Sequence, residues 1–306
     1  MLHSILVPLD GSHLAESVLP TAANLARAAG AKLRLLMVHE PRIGSAFGGI
    51  SNVLGPDDSA RRAIELTYLA ATAHQLGAIG SGPVIPELVD GAAAAAIQDV
   101  VARHPPDLIV MSTHGRGALS RFWLGSVADR LIRLGQVPIL LFRPPADGVP
   151  AKPLELRRVL VPIDLSKESE AILDIVKALA RATQAHVTLL NVVEPMFGAL
   201  ASLPYPVAMQ PEPVDALRTE AQRYLDQVGD RLRKEGLEVA TNAVIGIGTA
   251  ATILRQLEDG RFDLIALSTN GAGGFRRVVL GSVADKVIRA APTPVLVYRP
   301  AETANH

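Results

Sequence analysis

The chain contains two copies of one sequence pattern, and this duplication limits its possible folds more than any other feature. Residues 5–10 (Ile-Leu-Val-Pro-Leu-Asp) recur as residues 159–164 (Val-Leu-Val-Pro-Ile-Asp), and Leu-Gly-Ser-Val-Ala-Asp occurs at both 124–129 and 280–285. Equivalent residues are 159 − 5 = 154 positions apart in the first pair and 280 − 124 = 156 apart in the second. A repeat of this length predicts two tandem domains with one fold.

The domain boundaries follow from the repeat. We predict one domain at residues 1–145 and a second at residues 156–306. Residues 146–155, Ala-Asp-Gly-Val-Pro-Ala-Lys-Pro-Leu-Glu, carry prolines and a glycine that predict a short, fairly stiff linker between them.

Each copy alternates short apolar runs with segments of helical periodicity. Pro20 lies inside the first helical stripe and is expected to kink it or to mark an irregular turn. Apolar strands separated by helices indicate an α/β fold, with a parallel sheet covered by helices on both faces. Ligands of such sheets bind beyond the carboxyl ends of the strands, where the connections diverge. In the first copy we predict strands at 5–9, 32–38, 84–89, 107–112 and 138–142, and helices near 14–29, 59–76, 92–103 and 126–134.

Composition excludes several classes of function. The 30 Lys and Arg residues balance the 30 Asp and Glu residues, which argues against a nucleic-acid partner because phosphate backbones require an excess of cations. The chain has no cysteine, so disulfides, thiolate nucleophiles and cysteine-ligated metal centres are excluded. We find neither a secretory signal pattern nor an apolar run of about 18 residues, and we therefore predict a cytoplasmic protein with no membrane partner.

The first strand of each copy ends in an aspartate followed two residues later by a serine. These are Asp10 with Ser12, and Asp164 with Ser166. A carboxylate at this position can accept hydrogen bonds from a sugar hydroxyl or an adenine amino group. Alternatively, the aspartate and serine only cap the helix that follows. The sequence leaves both interpretations open.

The fourth strand of each copy leads into a glycine-rich loop. The loops read Ser-Thr-His-Gly-Arg-Gly-Ala at 112–118 and Ser-Thr-Asn-Gly-Ala-Gly-Gly at 268–274, and Leu-Gly-Ser then opens the next helix. Glycines let main-chain amides approach an anion, and a helix N-terminus adds unpaired amides, so the pattern favours a phosphate site. The alternative is that the glycines only form turns and that Ser126 and Ser282 begin Ser-Val-Ala-Asp capping boxes. The two interpretations are compatible.

The Val-Pro-Leu-Asp-Gly-Ser opening, the Ser-Thr-His-Gly-Arg-Gly loop and the Leu-Gly-Ser-Val-Ala helix start resemble the universal stress protein family, in its tandem two-domain form. Its ATP-binding members carry the motif Gly-x2-Gly-x9-Gly-Ser/Thr. The chain keeps this spacing, with serine in place of the first glycine in both copies. The resemblance implies a five-stranded parallel, Rossmann-like sheet in each domain and an adenine nucleotide, ATP, bound to each.

The resemblance also implies roles for individual residues. Asp10 and Asp164 would contact the nucleoside, and Val38 and Val192 would line the adenine slot. The glycines and serines of the motif would hold the phosphates, and neighbouring apolar residues would complete the walls. The remaining residues implied at the two sites are Pro8, Leu9, Met111, Ser112, Gly115, Gly125, Ser126, Val127, Pro162, Ile163, Leu267, Ser268, Gly271, Gly281, Ser282 and Val283.

No catalytic residue stands out. His114 beside the first glycine loop is replaced by Asn270 in the second copy, so the repeat does not require a titrating group there. The chain lacks the Gly-x4-Gly-Lys-Ser/Thr loop and any metal-ligand spacing of histidines, and a divalent ion such as Mg²⁺ is expected only with nucleotide phosphates. We therefore predict a stress-response binding or signalling protein. The alternatives are a slow ATPase or other ATP-using enzyme, and a scaffold without nucleotide.

Two further features concern partners. Residues 41–56 and 195–213 form long loops with glycine, proline and apolar residues, and they suggest a lid or a subunit contact. The apolar last strands, near 137–142 and 293–298, are expected to be sheet edges that another segment must cover. In members of the family these edges pair across a dimer interface, so we expect the two domains to form an intramolecular pseudo-dimer and two chains to form a homodimer.

Overall fold

The computed structural model describes residues 1–40, 58–80, 82–113, 124–143, 153–195, 214–269 and 280–300. It divides the chain into two compact units, residues 1–153 and 154–306. The exact domain limits and the linker at 146–155 stay predictions. The long loops at 41–56 and 195–213 lie almost wholly outside the described residues.

Among its described residues, the first unit alternates five strands with five helices. The strands are β1 (Ser4–Leu9), β2 (Lys32–His39), β3 (Val84–Asp90), β4 (Leu108–Ser112) and β5 (Ile139–Phe142). The helices are α1 (His13–Glu16), α2 (Leu19–Ala29), α3 (Asp58–Ala78), α4 (Ala93–Arg103) and α5 (Ser126–Leu134).

The second unit has the same order of elements. Its strands are β6 (Arg158–Pro162), β7 (His186–Val193), β8 (Val239–Ile245), β9 (Leu264–Ser268) and β10 (Val295–Tyr298). Its helices are α6 (Lys167–Glu170), α7 (Leu173–Thr183), α8 (Val214–Lys234), α9 (Thr249–Asp259) and α10 (Ser282–Ala290).

Within each unit all strands are parallel. The order in the first unit is β3-β2-β1-β4-β5, and in the second it is β8-β7-β6-β9-β10. In each unit the second and third strands lie on one side of the first strand, and the fourth and fifth strands lie on its other side. The switch point therefore lies between β1 and β4, and between β6 and β9. The predicted α/β class with five parallel strands per unit is confirmed.

Burial explains why the strands were recognisable in the sequence. Ile5, Leu6 and Val7 are fully buried in β1, and Val159, Leu160 and Val161 are buried in β6. An irregular turn is present near Pro20 as predicted, since the first helical segment is divided into α1 and α2, and Pro20 lies in the first turn of α2, where its missing N–H costs no helical hydrogen bond. The second unit is divided in the same way into α6 and α7 with Asp174 at the equivalent position, so the proline is not the cause of the break. None of the described helices is long and apolar enough to cross a bilayer.

Candidate functional site

The two aspartates that follow β1 and β6 form identical turns. The carboxylate of Asp10 accepts hydrogen bonds from the Ser12 amide at 2.9 Å and from the Ser12 hydroxyl at 2.6 Å. The corresponding bonds from Ser166 to Asp164 measure 3.1 Å and 2.5 Å. Each serine oxygen in turn accepts from an amide in the short helix that follows. The serines therefore cap the helices, and each aspartate is held in place by its serine.

The residue between aspartate and serine has a left-handed backbone in both units. Gly11 has φ 75° and Leu165 has φ 66°. This conformation costs an L-amino acid with a side chain roughly 1–2 kcal/mol, whereas glycine adopts it freely. The second unit keeps the turn despite that cost, so its surroundings hold Asp164 in the same geometry as Asp10.

The strand register places other predicted site residues beside these aspartates. Leu9 is paired with Met37 of β2, so one step further along the strands Asp10 lies beside Val38. On the other side of β1, Leu6 is paired with Ile109 of β4. Four positions further along both strands, Asp10 therefore lies beside Thr113, just after β4. Asp10, Val38 and the start of the glycine loop thus share one edge of the sheet. The second unit has the equivalent register.

The helix after the fourth strand begins directly at this edge. The amide of Gly125 donates to the Thr113 carbonyl at 2.8 Å, and the amide of Gly281 donates to the Thr269 carbonyl at 3.3 Å. Both glycines are the N-cap residues of their helices, α5 and α10, and neither supplies a capping side chain. The first amides of these helices therefore point towards the switch point without an acceptor of their own helix.

The predicted capping boxes are wrong. Ser126 and Ser282 are the first residues of their helices rather than the caps, because the carbonyls of the preceding glycines accept the first helical bonds, from Asp129 and Asp285. The aspartates proposed to complete the boxes pair instead with arginines one turn later, Asp129 with Arg133 at 2.8 Å and Asp285 with Arg289 at 2.9 Å.

Other helices that start at the same edge have an acceptor for their first amides. Besides Ser12 and Ser166 at α1 and α6, Glu40 accepts from the amide of Ala93 at 3.0 Å at the start of α4. Glu194 accepts from the amide of Thr249 at 2.5 Å and from its hydroxyl at 2.6 Å at the start of α9. These bonds lower the pKa of Glu194, because they favour the ionised carboxylate. Within the described part of the chain, no side chain does the same for α5 or α10.

The remaining predicted site residues differ in depth. Leu9, Met111, Ser112, Ile163 and Leu267 are buried, and they form the floor beneath the edge. Half-buried positions are Pro8, Asp10, Val38, Gly125, Val127, Pro162, Val192, Ser268 and Gly281, while Asp164, Ser126, Ser282 and Val283 are exposed. Gly115, Gly271, His114 and Asn270 lie outside the described residues.

Ser268 carries an orphaned polar atom. Its Oγ is buried and has no hydrogen-bond partner in the described structure, although it stands at the end of β9 beside the start of α10. A buried hydroxyl without a partner is unfavourable, and a ligand oxygen or amino group would satisfy it. The serine that replaces the first glycine of the motif therefore fits a polar ligand.

The sequence analysis missed a repeated tyrosine beside the site. Tyr224 of α8 donates to a carboxylate oxygen of Glu170, whose other oxygen binds Arg231. Burial, and then Glu170, raise the pKa of Tyr224 to about 12. In the first unit burial and Glu16 likewise raise the pKa of Tyr68. The signal was present, because Tyr68 and Tyr224 occupy the same position of two helices of 21 residues.

The described residues contain no group of three or more His, Asp and Glu side chains arranged to hold a metal ion. The polar atoms at the switch point are instead main-chain amides, hydroxyls and one carboxylate in each unit. This donor set suits a ligand with an anionic part and a hydroxyl-bearing part better than a bare cation.

Comparison with known proteins gives one consistent result. The model of the universal stress protein family matches residues 1–143 and 155–299. Universal stress protein Rv1996 of Mycobacterium tuberculosis is 26% identical over 96% of this chain and 94% of its own length. Slr1230 of Synechocystis is 24% identical over 97% of this chain and all of its own length. A universal stress protein structure from Archaeoglobus fulgidus matches with TM-score 0.68 at 21% identity, over 97% of this chain and 98% of that one, and it supports the fold.

Proposed function

The chain belongs to the universal stress protein family as a tandem form, and from this we propose that it binds ATP in each unit and acts in the stress response by binding and signalling rather than by turnover. We place the two sites at the switch points β1/β4 and β6/β9. The proposal includes a cytoplasmic location and a homodimer, as expected from the sequence.

The observation that carries the proposal concerns the starts of α5 and α10, for which no described side chain supplies a cap. A helix N-terminus bears a partial positive charge, and its free amides favour a phosphate. Acceptors on the chain occupy the neighbouring helix starts at α1 and α4, and at α6 and α9. Among the described residues the same helix start lacks an acceptor in both copies, next to an aspartate fixed by its serine, and this favours a ligand with phosphate at one end and sugar hydroxyls at the other.

The site residues would divide the nucleotide between them. Main-chain amides of Ser126 and Val127, placed by the N-cap Gly125, would hold phosphate oxygens, Asp10 would accept from the ribose, and Val38 would pack against the base. In the second unit the amides of Ser282 and Val283 after Gly281, together with Asp164 and Val192, would do the same, with Ser268 as an added hydroxyl. Mg²⁺, where present, would be bound mainly by the nucleotide phosphates.

The same arrangement argues for binding without rapid chemistry. The described switch-point residues include no lysine and no histidine, and the hydroxyls of Ser12 and Ser166, although bonded to aspartates, serve as caps of α1 and α6. Phosphoryl transfer needs cations placed on the transferring group and a residue that orients the attacking oxygen. We therefore expect phosphate release, if measured, to be slow.

Calorimetric titration with ATP, with and without Mg²⁺, tests the proposal. We expect two saturable sites per chain with dissociation constants in the micromolar range, about 1–100 μM. Native mass spectrometry of gently purified protein should show masses that correspond to bound adenine nucleotide. Absence of saturable binding below about 1 mM, together with nucleotide-free protein, would reject nucleotide binding in favour of a scaffold. Rapid phosphate release would instead favour the enzyme alternative.

A further inference from the structure

The first unit contains a buried histidine whose two ring nitrogens both face carboxylates. His39, the last residue of β2, is 1% exposed. Its Nδ1 lies 2.6 Å from Glu65 Oε2, and its Nε2 lies 3.0 Å from Asp58 Oδ2. A carboxylate only accepts hydrogen bonds, so both contacts are hydrogen bonds only when the ring carries two protons and is cationic. Both carboxylates belong to the first two turns of α3.

Arg61 can serve as a hydrogen-bond donor to the neutral ring of His39. Arg61 Nη2 lies 3.4 Å from His39 Nε2, and it also donates to Asp58 Oδ1 at 2.9 Å and to the Glu40 carbonyl at 2.6 Å. When Nε2 loses its proton it becomes an acceptor, for which Arg61 is suitable and Asp58 is not. The proton on Nε2 therefore decides whether β2 binds the beginning of α3 through Asp58.

The other charged groups around the ring are already engaged. Asp90, the register partner of His39 on β3, pairs with Arg62. Asp10, after β1, accepts from Ser12, and the Glu40 side chain accepts from the Ala93 amide at the start of α4. The groups that face the imidazole directly are thus Asp58, Arg61 and Glu65, all on α3.

The second unit has lost this cluster completely. The positions equivalent to His39, Asp58, Arg61 and Glu65 are occupied by Val193, Val214, Leu217 and Ala221. Val193 is 9% exposed and Ala221 is 1% exposed, so the same junction is closed there by apolar packing. Apolar contacts carry no proton, and their strength does not change with pH.

We propose that His39 is a proton-dependent latch, unique to the first unit among the described residues, which fastens the beginning of α3 to β2 when the ring is cationic and releases it when the ring is neutral. Such a latch makes one half of the tandem protein responsive to alkalinisation while the other half is constant. The proposal does not depend on nucleotide binding.

The direction of the response follows from linkage. Hydrogen bonds to Asp58 and Glu65 raise the pKa of His39 above its ordinary value of 6.5. A group with a raised folded pKa stabilises the folded state below its unfolded pKa, and this stabilisation is lost as the pH rises through the folded pKa. The start of α3 is therefore held firmly below about pH 6.5 and loosens as the pH rises through the raised pKa of His39.

Hydrogen exchange and NMR on the full chain without nucleotide test the latch. Histidine labelled at Cε1 reports the charge of the ring, and comparison with His39→Val assigns its resonance. At each pH, the hydrogen-exchange rates of amides 61–66 in α3 are divided by those of amides 217–222 in α8. Because hydroxide catalyses the exchange of both sets, this ratio removes the general effect of pH on exchange. We expect the relative protection of α3 to fall as His39 deprotonates, by up to about tenfold for each pH unit that separates its folded and unfolded pKa.

Two variants complete the design. Asp58→Asn removes one carboxylate at a side chain that is 51% exposed, so folding should be kept while the pKa of His39 falls and the pH response shrinks. The triple variant His39→Val, Asp58→Val, Glu65→Ala installs the residues of the second unit at three of the four equivalent positions, all those of the histidine and its carboxylates, and should abolish the response. A neutral His39 throughout pH 6–9, or α3 protection that follows α8 at every pH in the wild-type protein, would overturn the proposal.

Discussion

Gly281 lies so close to Thr269 that a side chain at this position would be crowded. The Gly281 amide donates to the Thr269 carbonyl at 3.3 Å, and a Cβ on Gly281 would lie 3.0 Å from that same oxygen. This contact favours glycine here, whereas the φ of −55° is open to any residue. The junction sets the distance between the end of β9 and the first amides of α10.

Gly281→Ala should weaken nucleotide binding in the second unit. The added methyl group forces the start of α10 away from Thr269 by a few tenths of an ångström, and amides aimed at phosphate tolerate little displacement. We expect the dissociation constant of this site to rise about tenfold, with the first site unchanged, in calorimetric titrations. Gly77→Ala, at an exposed helical glycine with open space around it, is the matched control and should leave both sites intact.

Asp10→Ala and Ser12→Ala separate the two interpretations of the first turn. Both variants remove the hydrogen bond between the side chains, and loss of the Ser12 cap costs about 1 kcal/mol of stability. Only Asp10→Ala removes the carboxylate, so it alone should raise the dissociation constant of the first site, by about tenfold. Equal affinities in the two variants, measured by titration with ATP, would show that the aspartate serves only the turn.

Glu194→Ala should destabilise the second unit in a pH-dependent way. The carboxylate caps α9 through Thr249, and its loss is expected to cost about 0.5–1 kcal/mol at pH 7. Because the folded pKa of Glu194 is lowered, its contribution is present above the ordinary value of 4.5 and disappears as the pH falls through the folded pKa. Urea unfolding at pH 7 and at successively lower pH, with the exposed Glu258→Ala as control, should show a difference at pH 7 that shrinks as the pH falls through the folded pKa of Glu194.

Tyr224→Phe tests whether the repeated tyrosine is structural. The variant removes the hydroxyl donor to Glu170 but keeps the ring and leaves Arg231 as the remaining partner of that carboxylate. We expect a loss of about 1 kcal/mol in unfolding free energy and no change in the affinity for ATP. A weakened second site with unchanged stability would instead assign the hydroxyl to the ligand.

The sequence predicted the architecture well because each of its signals is local. Buried parallel strands are apolar along their whole length, so β1 and β6 were evident, and Pro20 can lie in the first turn of α2 because of its fixed φ and missing N–H. The turn at Asp10 and Ser12 was one of two open interpretations, and the structure contains it in both units.

What the sequence could not provide depends on contacts between distant segments. The amide of Gly125, the N-cap of α5, bonds to the Thr113 carbonyl, twelve positions earlier in the chain. The Ser-Val-Ala-Asp pattern could not predict that bond. His39, Asp58 and Glu65 meet only because α3 packs back over β2. The left-handed backbone of Leu165 was equally hidden, since its side chain gives no sign of the glycine-like turn.

The bare starts of α5 and α10 have an architectural consequence. A helix whose first amides bond to a serine or glutamate of the chain is capped permanently. The described chain supplies no such acceptor for α5 or α10, so their first amides bond to water or to a dissolved molecule. The proposed nucleotide would supply these acceptors, and its binding would then stabilise the position of α5 and α10 at the edge of each sheet. The proposed signalling would thus need only a change in how firmly a helix is held, without a catalytic step.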